Sequence, residues 1–528
     1  MNQFSTEYLV PDGTRSDDIK SLITGQRRIA EDPERSLERT FYDTFDWALY
    51  LAGIAFERRQ GDAHPVLVLH DLRGREAGLS LEFDGQPGFA WDLPEGALRD
   101  SVEPLLMMRR LLPVITVESR IQTLRILNED EKTIARLIIE ENRYRGDAAR
   151  GREGNLAARL RLEPVRGYDK ELRQTSDLLH RDIGLEEAKT PLMLEALAAA
   201  GRRPGDYSSK LDYHLDPKQR ADAATKEILL GLLDTMEANV AGTQANLDSE
   251  FLHELRVACR RTRSALTQIK DVFPPDVVEE YKERFSWMQQ ITGPVRDLDV
   301  YLLDFDAYQH SLPEPMRAGL TPLKDFLLAH YDEEQARLAK ELSSNRFGSL
   351  IKDWLGFLEA PVPERSAVPN AMRPIKAVAD ERIWRMFRRV GKEGRAITAD
   401  SPAADLHELR KSCKKLRYLM EFFQSIYPKE EMKELIKQLK VLLDNLGGFQ
   451  DLAVQADHLR EIAGRMRDEG HAETDTLLSM GALIGDLLLR QHLSREEFTK
   501  IFGQFDAKPN RKRFNGLFAP EEKRSRGA

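Results

Sequence analysis

The sequence predicts an α+β domain over residues 1–216, an all-α domain over 217–507, and a polar tail at 508–528. Three observations predict this. Up to about residue 165, short segments alternate apolar with polar residues, as strands with one buried face do. From Pro217 the texture changes to long stretches with apolar residues at helical spacing. Within that second part, the chain repeats itself at a fixed offset.

The strand-like pieces are EYLV (7–10), ERTFYDT (38–44), PVLVLHDL (65–72), LSLEF (79–83), SRIQTLRIL (119–127), TIARLIIEEN (133–142) and AARLRLEPV (157–165). DTFDWALYLAG (43–53) interrupts them as a short helix ending at Gly53, residues 169–200 read as helical, and GRRPGDYSS (201–209) is rich in turn formers. A short extended piece, SKLDYHL, follows. Beyond Pro217 the expected helices are roughly 218–241, 249–272, 275–292, 296–309, 316–343, 347–357, 370–395, 403–426, 429–446, 450–468, 471–489 and 494–503. The tail is polar and mixed in charge, which predicts disorder.

The repeat carries the functional argument. Leu252-His253-Glu254-Leu255-Arg256 recurs as Leu406-His407-Glu408-Leu409-Arg410, an offset of 154 residues. In the same register Cys259 meets Cys413, Arg260 meets Lys414, Arg261 meets Lys415 and Arg263 meets Arg417. It continues without a gap through Gly293/Gly447 and Asp297-Leu298/Asp451-Leu452 to Val300/Val454, which predicts a tandem duplication of two helical bundles about a pseudo-twofold axis. At 3.6 residues per turn, His253, Arg256, Arg260 and Arg263 share an arc of about 80°. Leu255, Ala258, Cys259, Thr262, Leu266 and Ile269 lie opposite them. The second copy sets His407, Arg410, Lys414 and Arg417 against Leu409, Cys413, Leu416 and Met420.

Each helix thus presents a row of cations from above an apolar stripe. Glu254 and Glu408 are the only acids within 253–263 and 407–417, so pairing inside those stretches does not absorb the charge. Lys411 and Lys415 add to the second row. Two such rows side by side form a cationic groove about 15 Å long for ten residues. Phosphate chains suit such a groove, because guanidinium and ammonium groups make charge-assisted hydrogen bonds to phosphate oxygens. A histidine in each row adds charge as the pH falls towards its pKa. A third basic segment, Arg382, Arg385, Arg388, Arg389 and Lys392, is expected to extend the surface. No aromatic residues interleave the rows, which argues against single-stranded nucleic acid as the ligand.

Composition constrains the rest. Hydrophobic residues make up 41% and charged residues 32%, with a net charge of −9, so any polyanion site must come from local clustering. There is no run of about 18 apolar residues, hence no expected transmembrane helix, and the N-terminal residues lack the pattern of a secretory signal. Cys259 and Cys413 are expected as small core residues in a reducing cytoplasm.

LHELRVACRRTRS with the PVRDLDV that follows, and LHELRKSCKKLRY with FQDLAV, resemble the CHAD family, the conserved-histidine α-helical domain, over about residues 217–507. The resemblance implies two pseudo-symmetric four-helix bundles around a basic channel that binds inorganic polyphosphate, in proteins that associate with polyphosphate granules. By motif position the binding residues are His253, Arg256, Arg260, Arg263, His407, Arg410, Lys414 and Arg417.

CHAD domains are often preceded by a CYTH domain, an antiparallel β tunnel that binds triphosphate, and residues 1–216 resemble one. The resemblance rests on FYDTFDWALYLAGIAFERR (41–59), ARLRLEP (158–164) with Glu163, and DYSSKLDYHL (206–215) with its Ser209-Lys210. It implies inward Arg and Lys for phosphates and inward Glu for a divalent metal. The family's first-strand Glu-x-Glu-x-Lys is not matched, because Gln3, Ser5 and Glu7 stand at those positions, and Glu57 replaces an inward Arg. The expectation is a domain without catalysis and without a metal or other cofactor. Arg39, Arg58, Arg59, Arg120, Arg125 and Lys210 remain as candidate phosphate ligands, and Glu129, Glu140 and Glu163 as candidate acids. Two alternatives stay open: a tripolyphosphatase dependent on Mg²⁺ or Mn²⁺ in the tunnel, and nucleic-acid binding by the groove. No recognisable nucleic-acid motif supports the last.

Overall fold

The computed structural model describes residues 6–11, 14, 16–61, 63–72, 78–146, 152–181, 185–211 and 213–520. The chain forms two compact units, Met1–Ser208 and Ser209–Ala528. The division falls before the extended 209–215 piece and not after it. Tyr213 donates from its hydroxyl to the Phe422 carbonyl at 3.0 Å, and buried Leu215 joins the helical core, so this piece belongs to the helical unit.

The first unit is one antiparallel sheet. Its strands are β1 (Thr6–Leu9), β2 (Arg28–Glu31), β3 (Arg35–Asp43), β4 (Ile54–Gln60), β5 (Val66–Asp71), β6 (Leu79–Glu82), β7 (Leu112–Leu127), β8 (Thr133–Arg145), β9 (Glu153–Asn155), β10 (Arg159–Pro164) and β11 (Glu186–Glu187). The ladder runs β11-β1-β10-β8-β7-β3-β4-β5-β6, with β2 also on β7 and β9 on β8. β2, β4, β9 and β11 are not among the expected strands, and three of them are too short for a periodic signal. The expected 43–53 helix shrinks to Ala48–Leu51, because Asp43 still belongs to β3. The Asp43 carboxylate accepts the backbone N–H groups of Thr44, Leu49 and Tyr50, and burial nonetheless pushes its pKa up to about 6.

Successive side chains of a strand point to opposite faces, so the register sorts the charges. Arg39 lies opposite Arg59 and Val117, Glu57 opposite Phe41, and Glu140 opposite Ile121 and Arg159. Following these pairs, Glu7, Arg39, Glu57, Arg59, His70, Glu140, Arg161 and Glu163 share one face. The helix Leu192–Ala199 packs on that face against Phe41, Val117 and Tyr144. On the other face Ile19, Ile23 and Leu179, from the helices Ser16–Thr24 and Asp169–Arg181, cover Tyr8, Leu124, Leu137 and Leu160.

The second unit is all helical. A large core gathers residues of both copies, from Ile228 and Leu255 to Leu409, Leu439 and Phe505. A second core packs Gly293–Leu303 and Thr321–Leu342 against the helices that follow Pro428. The two copies differ at one informative place. In the first, Pro275–Ile291 and Gly293–Leu303 are separate helices meeting at Thr292. In the second, Lys429–Asp468 is one helix of 40 residues, not the two expected. Pro294 stands where the second copy has Gly448. Proline lacks the N–H and clashes with the preceding turn, whereas glycine costs a helix only about 1 kcal/mol. Thr474–Phe505 is likewise one helix across the expected break.

The tail is a correction. Lys508–Phe518 is a helix whose Phe514 and Phe518 are fully buried, with Phe514 stacked on Phe387 at 3.9 Å between ring centroids. The apolar residues of this short segment are few, so composition hides them, but Phe514, Leu517 and Phe518 share one helical face. Residues 521–528 lie outside the described residues. Cys259 and Cys413 are buried free thiols, as expected.

Candidate functional site

The first signature helix, Ser249–Gln268, starts at Asp248, whose carboxylate accepts the N–H of Glu250 at 2.9 Å and of Phe251 at 3.3 Å. The second, Ala403–Phe423, starts after Pro402 without a side-chain cap. Every residue expected on the apolar stripes is buried: Leu255, Ala258, Cys259, Thr262, Leu266 and Ile269, then Leu409, Cys413, Leu416 and Met420. That burial leaves the cation rows on the opposite side of each helix, where Arg260 and Lys411 are exposed and His253, Arg256, Arg263, His407, Arg410, Lys414, Lys415 and Arg417 are half-buried.

The rows come together. Tyr301 and Gln455 are equivalent positions of the two copies, and the Tyr301 hydroxyl donates to the Gln455 carbonyl at 3.3 Å. Equivalent positions of the two copies thus meet, as a pseudo-twofold relation between them requires near its axis. Arg260 and Lys414 are another equivalent pair, and Arg260 acts on Lys414 electrostatically. Burial, then the positive charges of Arg410 and Arg260, pull the Lys414 ammonium down to about 8, against Asp451 and with Arg417. Neither Arg260 nor Lys414 has a carboxylate within ion-pair distance among the described residues. The Nε of Arg263 and Nδ1 of His407 are buried without a partner. His253 is engaged in an interaction of its own.

Other members of the rows hold the fold. Arg256 donates from Nη1 to the Gln289 carbonyl at 3.1 Å and to Thr292 Oγ1 at 2.8 Å, and burial lowers its pKa. Its counterpart Arg410 reaches Asp451 at 2.8 Å. Both guanidinium groups lie beside the shared glycines: a Cβ at Gly293 would sit 3.8 Å from Arg256, and one at Gly447 3.6 Å from Arg410.

Several expected ligands are committed elsewhere. Arg261 crosses to Glu421 at 3.3 Å and donates to the Ser209 carbonyl, and Arg417 approaches the same Glu421 at 3.4 Å. Lys411 pairs with Glu408, while Lys415 sits half-buried near it. Arg382 is corrected outright: it is 6% exposed, and its Nε donates to the Gln268 carbonyl at 2.7 Å, tying Ile375–Ala396 to the end of the first signature helix. Arg385 and Arg389 are exposed but paired along the helix with Glu381 and Glu393. Glu421, Glu381 and Glu393, outside the two stretches counted in the sequence, and Glu408 within the second, neutralise the other groups.

Asp299 has no counterpart in the second copy, where Ala453 stands. It is 5% exposed, with Arg296 at 3.9 Å and the Tyr331 hydroxyl, Asp248 and Glu250 around it, and burial pushes its pKa up to about 7. An acid raised on folding contributes its full stability below its unfolded pKa of about 4 and loses it as pH rises through the folded value. Asp299→Asn is therefore expected to stabilise the protein by about 2 kcal/mol at pH 8 and far less at pH 4. Urea denaturation at the two pH values checks it.

In the first unit the shared face is filled by its own ion pairs. Glu140, 1% exposed, takes Arg39 at 2.9 Å and Arg161 at 3.3 Å. Glu57 is buried between Arg59 and His70 Nε2, the latter at 2.5 Å; burial pushes its pKa up, but the His70 hydrogen bond and the charge of Arg59 outweigh it and hold the pKa down at about 2. Glu7 pairs with Arg159 at 2.6 Å. Gln3 and Ser5 lie outside the described residues. Arg120 is corrected: it is on the opposite face, paired with Glu34 at 3.1 Å and near Glu141. Arg125 pairs with Asp32, Arg58 points to Gln60, and Glu129 sits exposed in the turn after β7. Lys210 falls in the second unit. A hard divalent cation wants several unengaged carboxylate oxygens. Glu57 and Glu140 are each held by two cationic or imidazole groups, so this donor set does not fit one. An opening of about 860 Å³ at the rim of the sheet is lined by Ser36, Glu38, Glu118, Arg120, Glu141 and Arg143, with acids and arginines mixed.

No helix among the described residues is long and apolar enough to cross a membrane. The CHAD domain family model matches residues 227–460. Two uncharacterized proteins of Mycobacterium tuberculosis, from strains CDC 1551 and H37Rv, are each 29% identical over 272 residues, covering 48% of this chain and 47% of theirs. The chain spans about half the length of the curated relatives it matches. Among solved structures, a CHAD domain from the plant Ricinus communis is 24% identical, covering 56% of this chain and 94% of its own, with a TM-score of 0.46. The putative adenylyl cyclase HpAC1 from Hippeastrum, described as having a dominant triphosphatase activity, is 13% identical, covering 39% and 99%, with a TM-score of 0.25. Residues 227–460 of the helical unit, which carry the duplicated signature in register above buried apolar stripes, thus match the CHAD domain family.

Proposed function

We propose that the helical unit binds inorganic polyphosphate along the two cation rows, without catalysis, and places the protein on polyphosphate granules in the cytoplasm. The observation that carries this is the juxtaposition of Arg260 with Lys414. Two cations from equivalent positions repel each other, and Asp451 offsets this only in part, with no carboxylate in ion-pair contact with either among the described residues. A linear polyanion relieves that repulsion, with Arg263 and His407 next along the two rows. The ion pairs that fill the charged face of the first unit support the absence of hydrolysis.

Binding of full-length protein to long-chain polyphosphate across a salt series tests this, with phosphate release assayed alongside in Mg²⁺ and Mn²⁺. Tight binding that weakens steeply with salt, by counterion release, and no release of phosphate are expected. Salt-insensitive binding overturns the ligand, and metal-dependent release overturns the absence of catalysis. DNA or RNA at matched phosphate concentration is expected to compete poorly.

The crowded Lys414 predicts a pH dependence. A bound anion favours its charged form, so affinity is full below about 8 and falls as the free protein's ammonium loses its proton. Between pH 7 and pH 9.5 the loss is expected to reach about tenfold, and Lys414→Arg, which keeps its charge, should abolish most of it. An identical pH profile for both proteins would show that Lys414 does not face the ligand.

A further inference from the structure

Four lysines outside the rows form a second stripe. Lys429, Lys433, Lys437 and Lys440 lie within an arc of about 80° along the helix Lys429–Asp468, spanning about 16 Å. All four are exposed, and none has an ion-pair partner among the described residues. They edge a groove of about 660 Å³ whose other lining is mixed, with apolar surface from half-buried Ile436, buried Met432, and Leu211 and Tyr213 of the extended segment before Pro217, beside His214, Gln424 and Ser425. The duplication did not supply this stripe. At the offset of 154, Glu279 and Glu283 stand where Lys433 and Lys437 do, and Pro275 and Ser286 where Lys429 and Lys440 do. The signature helices keep their cations in both copies. Here the sign of the charge is reversed between them.

We propose that this groove is a docking site for an acidic amphipathic helix of a partner protein. A polyphosphate chain has no apolar surface to cover Ile436, Leu211 and Tyr213. A helix with leucines on one face and glutamates beside them covers both halves at once, because lysines one turn apart match carboxylates one turn apart. The groove is three helical turns long, which is the usual reach of such a contact. The site makes no use of Arg260, Lys414 or their neighbours and does not rest on the polyphosphate reading.

The experiment uses full-length protein and three probes: a labelled 21-residue peptide with a leucine face and glutamates elsewhere, a scrambled peptide of the same composition, and long-chain polyphosphate. The amphipathic peptide is expected to bind at least about tenfold more tightly than the scrambled one. Lys433→Glu with Lys437→Glu, both exposed and so compatible with folding, is expected to cost a further tenfold or so while polyphosphate affinity changes less than about threefold. Equal binding of the two peptides overturns the proposal, as does undiminished binding to the double variant. So does a double variant that loses polyphosphate and keeps the peptide, since the stripe would then belong to the polyphosphate path.

Discussion

Replacing Arg260 and Lys414 together with glutamate is expected to weaken polyphosphate binding by at least about a hundredfold near physiological salt, with helicity unchanged. The two changes remove two positive charges and add two negative ones where the rows meet at the pseudo-twofold axis. A folded double variant with wild-type affinity would exclude the rows as the binding surface. The pair is a cleaner test than one that also changes Arg256 and Arg410. Those two brace the helices after them, through Gln289 and Thr292 in one copy and Asp451 in the other. Losing them confounds a lost ligand contact with a lost structural one. Arg261→Ala makes a useful control: its partner is Glu421, so its effect should fall on stability and little on affinity.

The second large effect is one of stability. Phe514→Ala is expected to destabilise the helical unit by about 3–5 kcal/mol, the usual cost of deleting a fully buried aromatic ring. Phe514 is 0% exposed and sits among Phe387, Phe505 and Phe518. The helix Ile375–Ala396, which leads into the second signature helix, loses its cover with that ring. Following the helical signal through a urea titration measures it. A midpoint that does not move would mean that the last helix contributes nothing to the core. Removing everything after residue 507 should be more damaging still, since it also exposes Phe387 and Phe505.

The charged face of the first unit is occupied by its own ion pairs. Arg39, Arg161, Glu57 and Glu140 are of the kinds a triphosphate and metal site uses. Each is satisfied by a neighbour on the same face of the sheet, along the strand for Glu57 with Arg59 and across strands for the others. Buried charges are tolerated when paired in this way, and removing one partner leaves the other uncompensated. The glutamates are therefore held by their arginines before any metal competes for them.

What the sequence by itself determined is whatever repeats or has a period. The offset of 154 residues pointed to the duplication, and the helical period assigned the apolar stripes correctly down to individual residues, Thr262 included. The alternation of strands placed most of the sheet. What the sequence could not decide is who neutralises whom. Arg382, Arg385 and Arg389 read as one basic surface, yet one is buried against a carbonyl and two are spent on Glu381 and Glu393. Arg39 and Arg120 read alike, yet the register puts them on opposite faces. The last helix looked too polar to fold, because a few phenylalanines matter only when Phe387 is waiting for them. Periodicity is a property of one segment and is written locally. Pairing, burial and the meeting of Arg260 with Lys414 depend on segments about 150 residues apart, and only the packing of the helices about their axis brings those together.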